Sequence, residues 1–122
     1  MKTVLLIGSS GFLGSHLKKR LKKTYKLICV NRKNQFDISN FKKVKILLNK
    51  RLDFVINLSG QVSTKKNMLK TIIRGNENII NVIKNKKIKP VVYFISTTLV
   101  YGFSNTLLNE KSKLAPSLSY SK

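Results

Sequence analysis

The sequence has 122 residues, of which 42% are hydrophobic and one is cysteine, so the chain can bury a core without disulfides or a structural metal. The chain has 25 Lys and Arg residues against four Asp and Glu residues, which gives a net charge of +21. Because the basic residues are spread along the chain and form no nucleic-acid-binding motif, we expect no specific nucleic-acid binding. The N-terminus lacks a signal-peptide core and no apolar run approaches the roughly 18 residues of a membrane span, so we expect a cytoplasmic protein without membrane contact.

The first part of the chain predicts a strand, a helix and a second strand. Lys2 to Gly8 is a continuous apolar run, as in a strand buried on both faces of a sheet. A helix follows from about Gly11 to Lys23, capped by Ser10 or a neighbouring glycine. Tyr25 to Asn31 forms the second strand, which would bury Cys29 as a reduced thiol. The predicted inner face of the helix consists of Phe12, Leu13, Leu17 and Leu21.

The middle of the chain predicts a turn, a short extended piece and a helix. Arg32 to Gln35 is predicted to form the turn, and Phe36 to Ser39 the extended piece. The segment from Ser39 to Lys50 repeats apolar residues at helical spacing, with Ser39 or Asn40 as its N-cap.

Two further strands flank a long helix. Asp53 to Ser59 is predicted as a buried strand and Lys66 to Lys87 as the helix. Pro90 ends the helical segment before a last strand from Val91 to Thr97. Because apolar strands alternate with helices, we expect an α/β fold with a doubly wound parallel sheet covered on both faces.

Three glycines at three-residue spacing, Gly8, Gly11 and Gly14, mark the junction of the first strand and the first helix. In a doubly wound sheet a dinucleotide's diphosphate lies at this turn, because the helix N-terminus offers unpaired amides and a positive dipole end. The glycines therefore predict a dinucleotide-binding turn, with a merely structural turn as the alternative. At the end of the second strand, an acidic residue would bind the ribose 2′-hydroxyl of NAD, and a basic residue would accommodate the 2′-phosphate of NADP. This sequence has Asn31 and Arg32 there, which favours NADP(H) over NAD(H).

Six stretches resemble, in the same order, motifs of the extended short-chain dehydrogenase/reductase family, the NAD-dependent epimerases and dehydratases of nucleotide sugars. They are GFLG, FDIS, DFVINLSGQVS, GNENII, ISTTLVYG and PSLSYSK. The resemblance implies a Rossmann-type NAD(P)-binding domain over residues 1–122. It implies catalytic roles for Thr97, which would orient a sugar hydroxyl, and Tyr120, which would accept its proton. The predicted cofactor-binding residues are Gly8, Ser10, Gly11, Phe12, Leu13, Gly14, Asn31, Arg32, Asp37, Ile38, Leu58, Ser59 and Gly60.

The sequence also departs from this family. The family's motif is Tyr-x-x-x-Lys, and its lysine would fall two positions after Lys122. The resemblance covers the first part of a family member, which implies a sheet truncated before its last strands and an absent substrate-binding part. We therefore expect an NAD(P)-dependent epimerase, dehydratase or reductase of nucleotide sugars, as used for surface polysaccharide, with little turnover by this chain alone.

Two other functions stay open, a non-catalytic NAD(P)-binding regulatory module and a nucleic-acid binder that uses the lysines. We expect no metal site, because the sequence has no cluster of His, Cys and carboxylate residues. Family members commonly dimerise through two long helices, of which only the Lys66 to Lys87 helix is present, so self-association is not expected.

Overall fold

Four strands and three helices alternate along the chain in the computed structural model, which describes residues 1–60, 65–87 and 89–117. The described residues also include two short 3₁₀ segments, Arg32–Asn34 and Thr98–Tyr101. The alternation of strands and helices predicted from the sequence is thus confirmed. The strands are β1 (Thr3–Ile7), β2 (Lys26–Val30), β3 (Phe54–Asn57) and β4 (Val91–Phe94), and the helices are α1 (Phe12–Leu21), α2 (Phe41–Leu48) and α3 (Lys65–Lys84).

The four described strands form one parallel sheet in the order β2-β1-β3-β4. From β1 the chain moves outward to β2 and then crosses to β3 on the other side, so the predicted doubly wound, Rossmann-type sheet is confirmed. From Val4 to Ile7, the side chains of the central β1 are at most 2% exposed. The winding reverses between β1 and β3, and such a reversal leaves a ligand-binding crevice at the carboxyl ends of the strands.

The larger part of the core lies between the sheet and the helices α2 and α3. Leu5, Val55 and Ile79 are completely buried there. Val44 and Leu48 of α2 join them and are 1% exposed. Because burying one such side chain contributes roughly 1.5–3 kcal/mol, this layer holds α2 and α3 firmly on the sheet. The residues that α3 presents at the carboxyl edge of the sheet are therefore well positioned.

The opposite face of the sheet is covered only in part among the described residues. α1 packs against β1 and β2, and Val4 and Leu6 are buried on this side. Val91 and Tyr93 of β4 remain 52% and 49% exposed, so the predicted cover on both faces of the sheet does not extend to this face of β4. No helix within the described ranges combines the length and the hydropathy that a membrane crossing requires.

Three apolar residues are less buried than predicted. Phe12 and Leu13 are 85% and 46% exposed, because α1 begins beyond the carboxyl end of β1 and its first turn projects past the sheet. Gly14 is the buried residue of this helix. Cys29 is half-buried, since β2 lies at an edge of the described sheet.

The predicted extended piece from Phe36 to Ser39 is wrong, because this segment is not a strand and contains a turn. The carboxylate of Asp37 accepts hydrogen bonds from the Ser39 amide at 2.9 Å and the Ser39 hydroxyl at 2.8 Å. Such local bonds compete with an extended conformation. Asn40, one of the two predicted caps, is the N-cap of α2, and its side chain accepts from the Lys43 amide at 3.1 Å.

Candidate functional site

The turn between β1 and α1 places three glycines in three different environments. Gly8 has a φ of +83°, and a Cβ there would lie 2.9 Å from the carbonyl carbon and oxygen of Leu58. A Cβ on Gly14 would overlap the carbonyl oxygen of Gly8, so a larger residue would push α1 off the turn. A Cβ on Gly11 would meet only that oxygen, at an ordinary 3.5 Å. Gly8 and Gly14 are thus required for the turn, whereas the surroundings of Gly11 would accept a methyl group.

The amino end of α1 offers free backbone donors. Gly11 is the N-cap, and no side chain caps the helix. The Gly11 amide closes the turn on the Gly8 carbonyl at 3.1 Å, and the Gly11 carbonyl accepts from Ser15 at 2.9 Å. Among the described residues, the amides of Phe12 and Leu13 have no hydrogen-bond partner. Unpaired first-turn amides and the helix dipole together favour an anion at this position.

A cavity of about 210 Å³, which we call the first cavity, lies against this turn. Ile7, Phe36 and Thr71 line it although the sequence did not predict them. Phe12, Leu13 and Gly14 do not line it and form the first turn of α1 beside it. Ten predicted cofactor-binding residues line it: Gly8, Ser10, Gly11, Asn31, Arg32, Asp37, Ile38, Leu58, Ser59 and Gly60.

Asn31 ties the end of β2 to the glycine turn. Its side-chain nitrogen donates to the hydroxyl of Ser9 at 3.1 Å, and Ser9 is 5% exposed. Asn31 also caps the 3₁₀ segment, because its side-chain oxygen accepts from the Asn34 amide at 3.2 Å while the Asn34 side chain accepts from the Asn31 amide at 2.7 Å. Arg32 follows directly in this segment, so its backbone is held at the rim of the first cavity.

Asp37 supplies a fixed carboxylate to the same cavity. The hydrogen bond from the Ser39 hydroxyl is the largest effect and lowers the pKa of Asp37. Burial opposes it, but the Ser39 amide and the charges of Arg32 and Lys43 also lower the pKa, so that it lies below its usual value. The side chain is therefore ionised at neutral pH and accepts hydrogen bonds. On α3, the Asn78 side chain donates to the carbonyl of Ile38 at 3.0 Å, which anchors this turn to the helix.

A second cavity of about 250 Å³ lies at the ends of β3 and β4. Ser59 and Gly60 line both cavities, so the two adjoin. Thr97, the predicted catalytic residue, lines the second cavity together with Asn76. The Thr97 hydroxyl oxygen accepts from the Leu99 amide at 3.3 Å, and among the described residues its proton has no acceptor.

Asn57 organises the wall between the two cavities. It ends β3 and is 5% exposed. Its side-chain oxygen accepts from the amide of Ser59 at 3.0 Å and from the Ser59 hydroxyl at 2.6 Å. Its side-chain nitrogen donates to the side-chain oxygen of Asn76 on α3 at 2.8 Å. Buried polar groups that are fully paired in this way hold a single conformation.

Comparison with protein families agrees with this geometry. The model of the NAD dependent epimerase/dehydratase family matches residues 4–122. The chain belongs to this family. No curated protein matches the chain.

Solved structures share the epimerase/dehydratase fold. A dTDP-4-dehydrorhamnose reductase from Clostridium acetobutylicum is 25% identical with a TM-score of 0.82, over 99% of this chain and 45% of that one. UDP-glucose 4-epimerase from Bifidobacterium longum, solved with NAD⁺ and UDP, is 20% identical with a TM-score of 0.83, over 98% and 44%. RMD from Pseudomonas aeruginosa, solved with NADPH, is 22% identical with a TM-score of 0.77, over 99% and 45%. The chain thus spans a little under half the length of these structures.

The sequence predicted most of the residues that line the first cavity, but it did not predict Asn57 and Asn76 at the second cavity. Tyr120 lies outside the described residues, whereas Thr97 is described at the second cavity. Asn57 could have been noticed, because it interrupts the apolar run of β3 at the carboxyl end of the strand. Asn76 and Thr71 carry no such local signal, and only the packing of α3 brings them to the cavities.

Proposed function

We propose that the chain binds a nicotinamide dinucleotide across the carboxyl edge of its sheet, with the diphosphate at the amino end of α1. The observation that carries this proposal is the uncapped first turn of α1 beside Gly11, where a Cβ would meet only the Gly8 carbonyl oxygen, at an ordinary 3.5 Å. The amides of Phe12 and Leu13 would donate to the phosphate oxygens, and the helix dipole would favour their charge. The net charge of +21 would further attract an anionic ligand.

The adenosine half of the dinucleotide would occupy the first cavity. The ionised carboxylate of Asp37 can accept a hydrogen bond from the adenine amino group, and Ile38, 4% exposed, offers an apolar contact. Leu58, Ser59 and Gly60 line the other end of the cavity, where the dinucleotide would continue towards the second cavity.

We propose NADP(H) as the preferred cofactor. Asn31 and Arg32 follow β2, where an acidic residue would otherwise bind the ribose 2′-hydroxyl and repel a 2′-phosphate. A guanidinium can bind a phosphate through two parallel hydrogen bonds. Arg32 lies at the rim of the first cavity, which suits it to this role.

The reaction that we propose is the oxidation or reduction of a nucleotide sugar, as in the epimerases, dehydratases and reductases of the family. The nicotinamide would supply the hydride acceptor or donor. Thr97 would donate its free hydroxyl proton to the sugar oxygen that reacts and so hold that oxygen in place. The role of Tyr120 as the group that accepts the proton stays a prediction.

Titration of the purified chain with NADPH, NADH and duplex DNA at two salt concentrations tests the proposal. We expect saturable binding of NADPH, tighter than that of NADH, while any DNA binding falls steeply with salt. The absence of saturable dinucleotide binding would refute it. Addition of nucleotide sugars, with the absorbance of the reduced nicotinamide as readout, distinguishes an enzyme from a non-catalytic binding module.

A further inference from the structure

The orientation of two side-chain amides near the second cavity follows from one backbone donor. The Ser59 amide lies 3.0 Å from one terminal atom of the Asn57 side chain. Because a backbone N–H can only donate, that atom must be the oxygen Oδ1, and the other terminal atom must be the nitrogen Nδ2. Asn57, buried at the end of β3, therefore has a fixed amide orientation.

The same argument extends to Asn76. The Asn57 nitrogen lies 2.8 Å from a terminal atom of the Asn76 side chain. Since that nitrogen can only donate, the Asn76 atom facing it must be oxygen, and the Asn76 nitrogen must face elsewhere. Among the described residues this nitrogen has no hydrogen-bond partner, and Asn76 lines the second cavity. Two N–H donors of Asn76 are thus left for a ligand in this cavity.

The rest of the second cavity indicates what such a ligand would be. None of the described residues that line it is charged, and besides Asn76 they include Thr97, whose hydroxyl proton has no acceptor among the described residues. It joins the first cavity through Ser59 and Gly60. A molecule that extends from the first cavity into the second would meet neutral donors there, which suit uncharged oxygens such as those of a carboxamide or a ribose.

We infer that the Asn76 side-chain nitrogen donates a hydrogen bond to an oxygen of the nicotinamide riboside half of the dinucleotide, and that Asn57 positions Asn76 for this contact. The inference rests on the proposed function, because it takes the diphosphate at α1 and the adenosine in the first cavity as given. It assigns to α3 a binding residue that determines how the reactive half of the cofactor is held.

The test compares NADPH with 2′-phospho-ADP-ribose, which lacks the nicotinamide, on the full chain. Asn76→Asp keeps an oxygen that can accept from Asn57 but replaces the two N–H donors with an acceptor. NADPH is used because its nicotinamide ring is uncharged and gains no attraction to the new carboxylate. Asn81→Asp is the matched control, because Asn81 is exposed on the same helix and undergoes the same change of charge.

For Asn76→Asp we expect the Kd of NADPH to rise about tenfold or more, and that of 2′-phospho-ADP-ribose to change less than about twofold. Asn81→Asp should change neither. Asn76→Ser removes the amide donors without adding a charge; it should shift the NADPH affinity in the same direction and serves if the first variant does not fold. Unchanged NADPH affinity, or equal weakening of both ligands, would overturn the inference. If the wild-type chain binds neither NADPH nor NADH, the proposed function itself falls, and the inference falls with it.

Discussion

Gly11→Ala and Gly14→Ala add the same methyl group at two positions of one turn, and we expect opposite effects. The methyl group on Gly14 would overlap the carbonyl oxygen of Gly8 and lie 2.9 Å from the Cα of Ser9, so it meets backbone that cannot rotate away. On Gly11 it would have one ordinary contact, at 3.5 Å, and under the proposed function it would hinder a phosphate at the helix end. Gly14→Ala should therefore weaken folding, and Gly11→Ala should weaken binding.

The expected magnitudes follow from these contacts. Overpacking typically costs about 1–3 kcal/mol, and we take the upper end for Gly14→Ala because the neighbours are backbone atoms. The better helix propensity of alanine returns about 1 kcal/mol, which leaves a net loss of about 2 kcal/mol. For a domain of this size that loss lowers the Tm by roughly 6–10 °C.

Gly11→Ala should leave the free energy of unfolding within about 0.5 kcal/mol of wild type. The φ of Gly11 is −72°, which alanine adopts, and the weaker N-cap is offset by the lower entropy of the unfolded chain. The added methyl group would keep a phosphate from the amides of Phe12 and Leu13. Because one hydrogen bond to a charged group contributes about 1.5–3 kcal/mol, the Kd of NADPH should rise at least about tenfold.

Thermal unfolding followed by circular dichroism, together with NADPH titration, measures both effects. Thr24→Ala is the control, because Thr24 is exposed beyond the carboxyl end of α1, and it should change neither quantity appreciably. The reasoning is refuted if Gly11→Ala lowers the Tm as much as Gly14→Ala, or if Gly11→Ala binds NADPH like the wild type.

Three further substitutions test the core, the cofactor preference and the pH dependence. Leu5→Ala, at a completely buried position, should cost about 2–5 kcal/mol in urea unfolding, whereas Leu107→Ala, at a fully exposed position, should cost almost nothing; equal effects would contradict the assignment of the core. Arg32→Gln should raise the Kd of NADPH about tenfold and leave that of NADH unchanged, and an equal change in both would argue against a 2′-phosphate contact. Because the pKa of Asp37 is lowered in the folded state, its contribution to stability is complete above the unfolded value of about 3.9 and is lost as the pH falls through the folded pKa. The difference in urea midpoint between wild type and Asp37→Asn should therefore shrink as the pH is lowered from 5 to 3, and a difference that grows would contradict this cause of the shift.

Local sequence patterns predicted the elements wherever burial decided the conformation, and they failed where polar side chains decided it. The apolar run of β1 was predicted as a buried strand, and it is one. The segment from Phe36 to Ser39 was predicted as extended, but the carboxylate of Asp37 bonds to Ser39 and forms a turn. Phe12 fits the apolar face of α1 by spacing, yet it lies beyond the sheet that would cover it. The spacing of residues along a helix indicates which of them lie on the same face, but it does not indicate whether another element packs against that face.

The sequence by itself determined the alternation of strands and helices and the glycine turn, because apolar runs and the conformational freedom of Gly8 act over a few neighbouring residues. The tertiary structure decided the strand order β2-β1-β3-β4, since strand pairing joins segments that are distant in the chain. That order brings Leu58 beside the glycine turn and places both at the cavity that Asp37 also lines. The tertiary structure likewise decided the pairing of Asn57 with Asn76, because only the packing of α3 on the sheet brings these two side-chain amides within hydrogen-bonding distance.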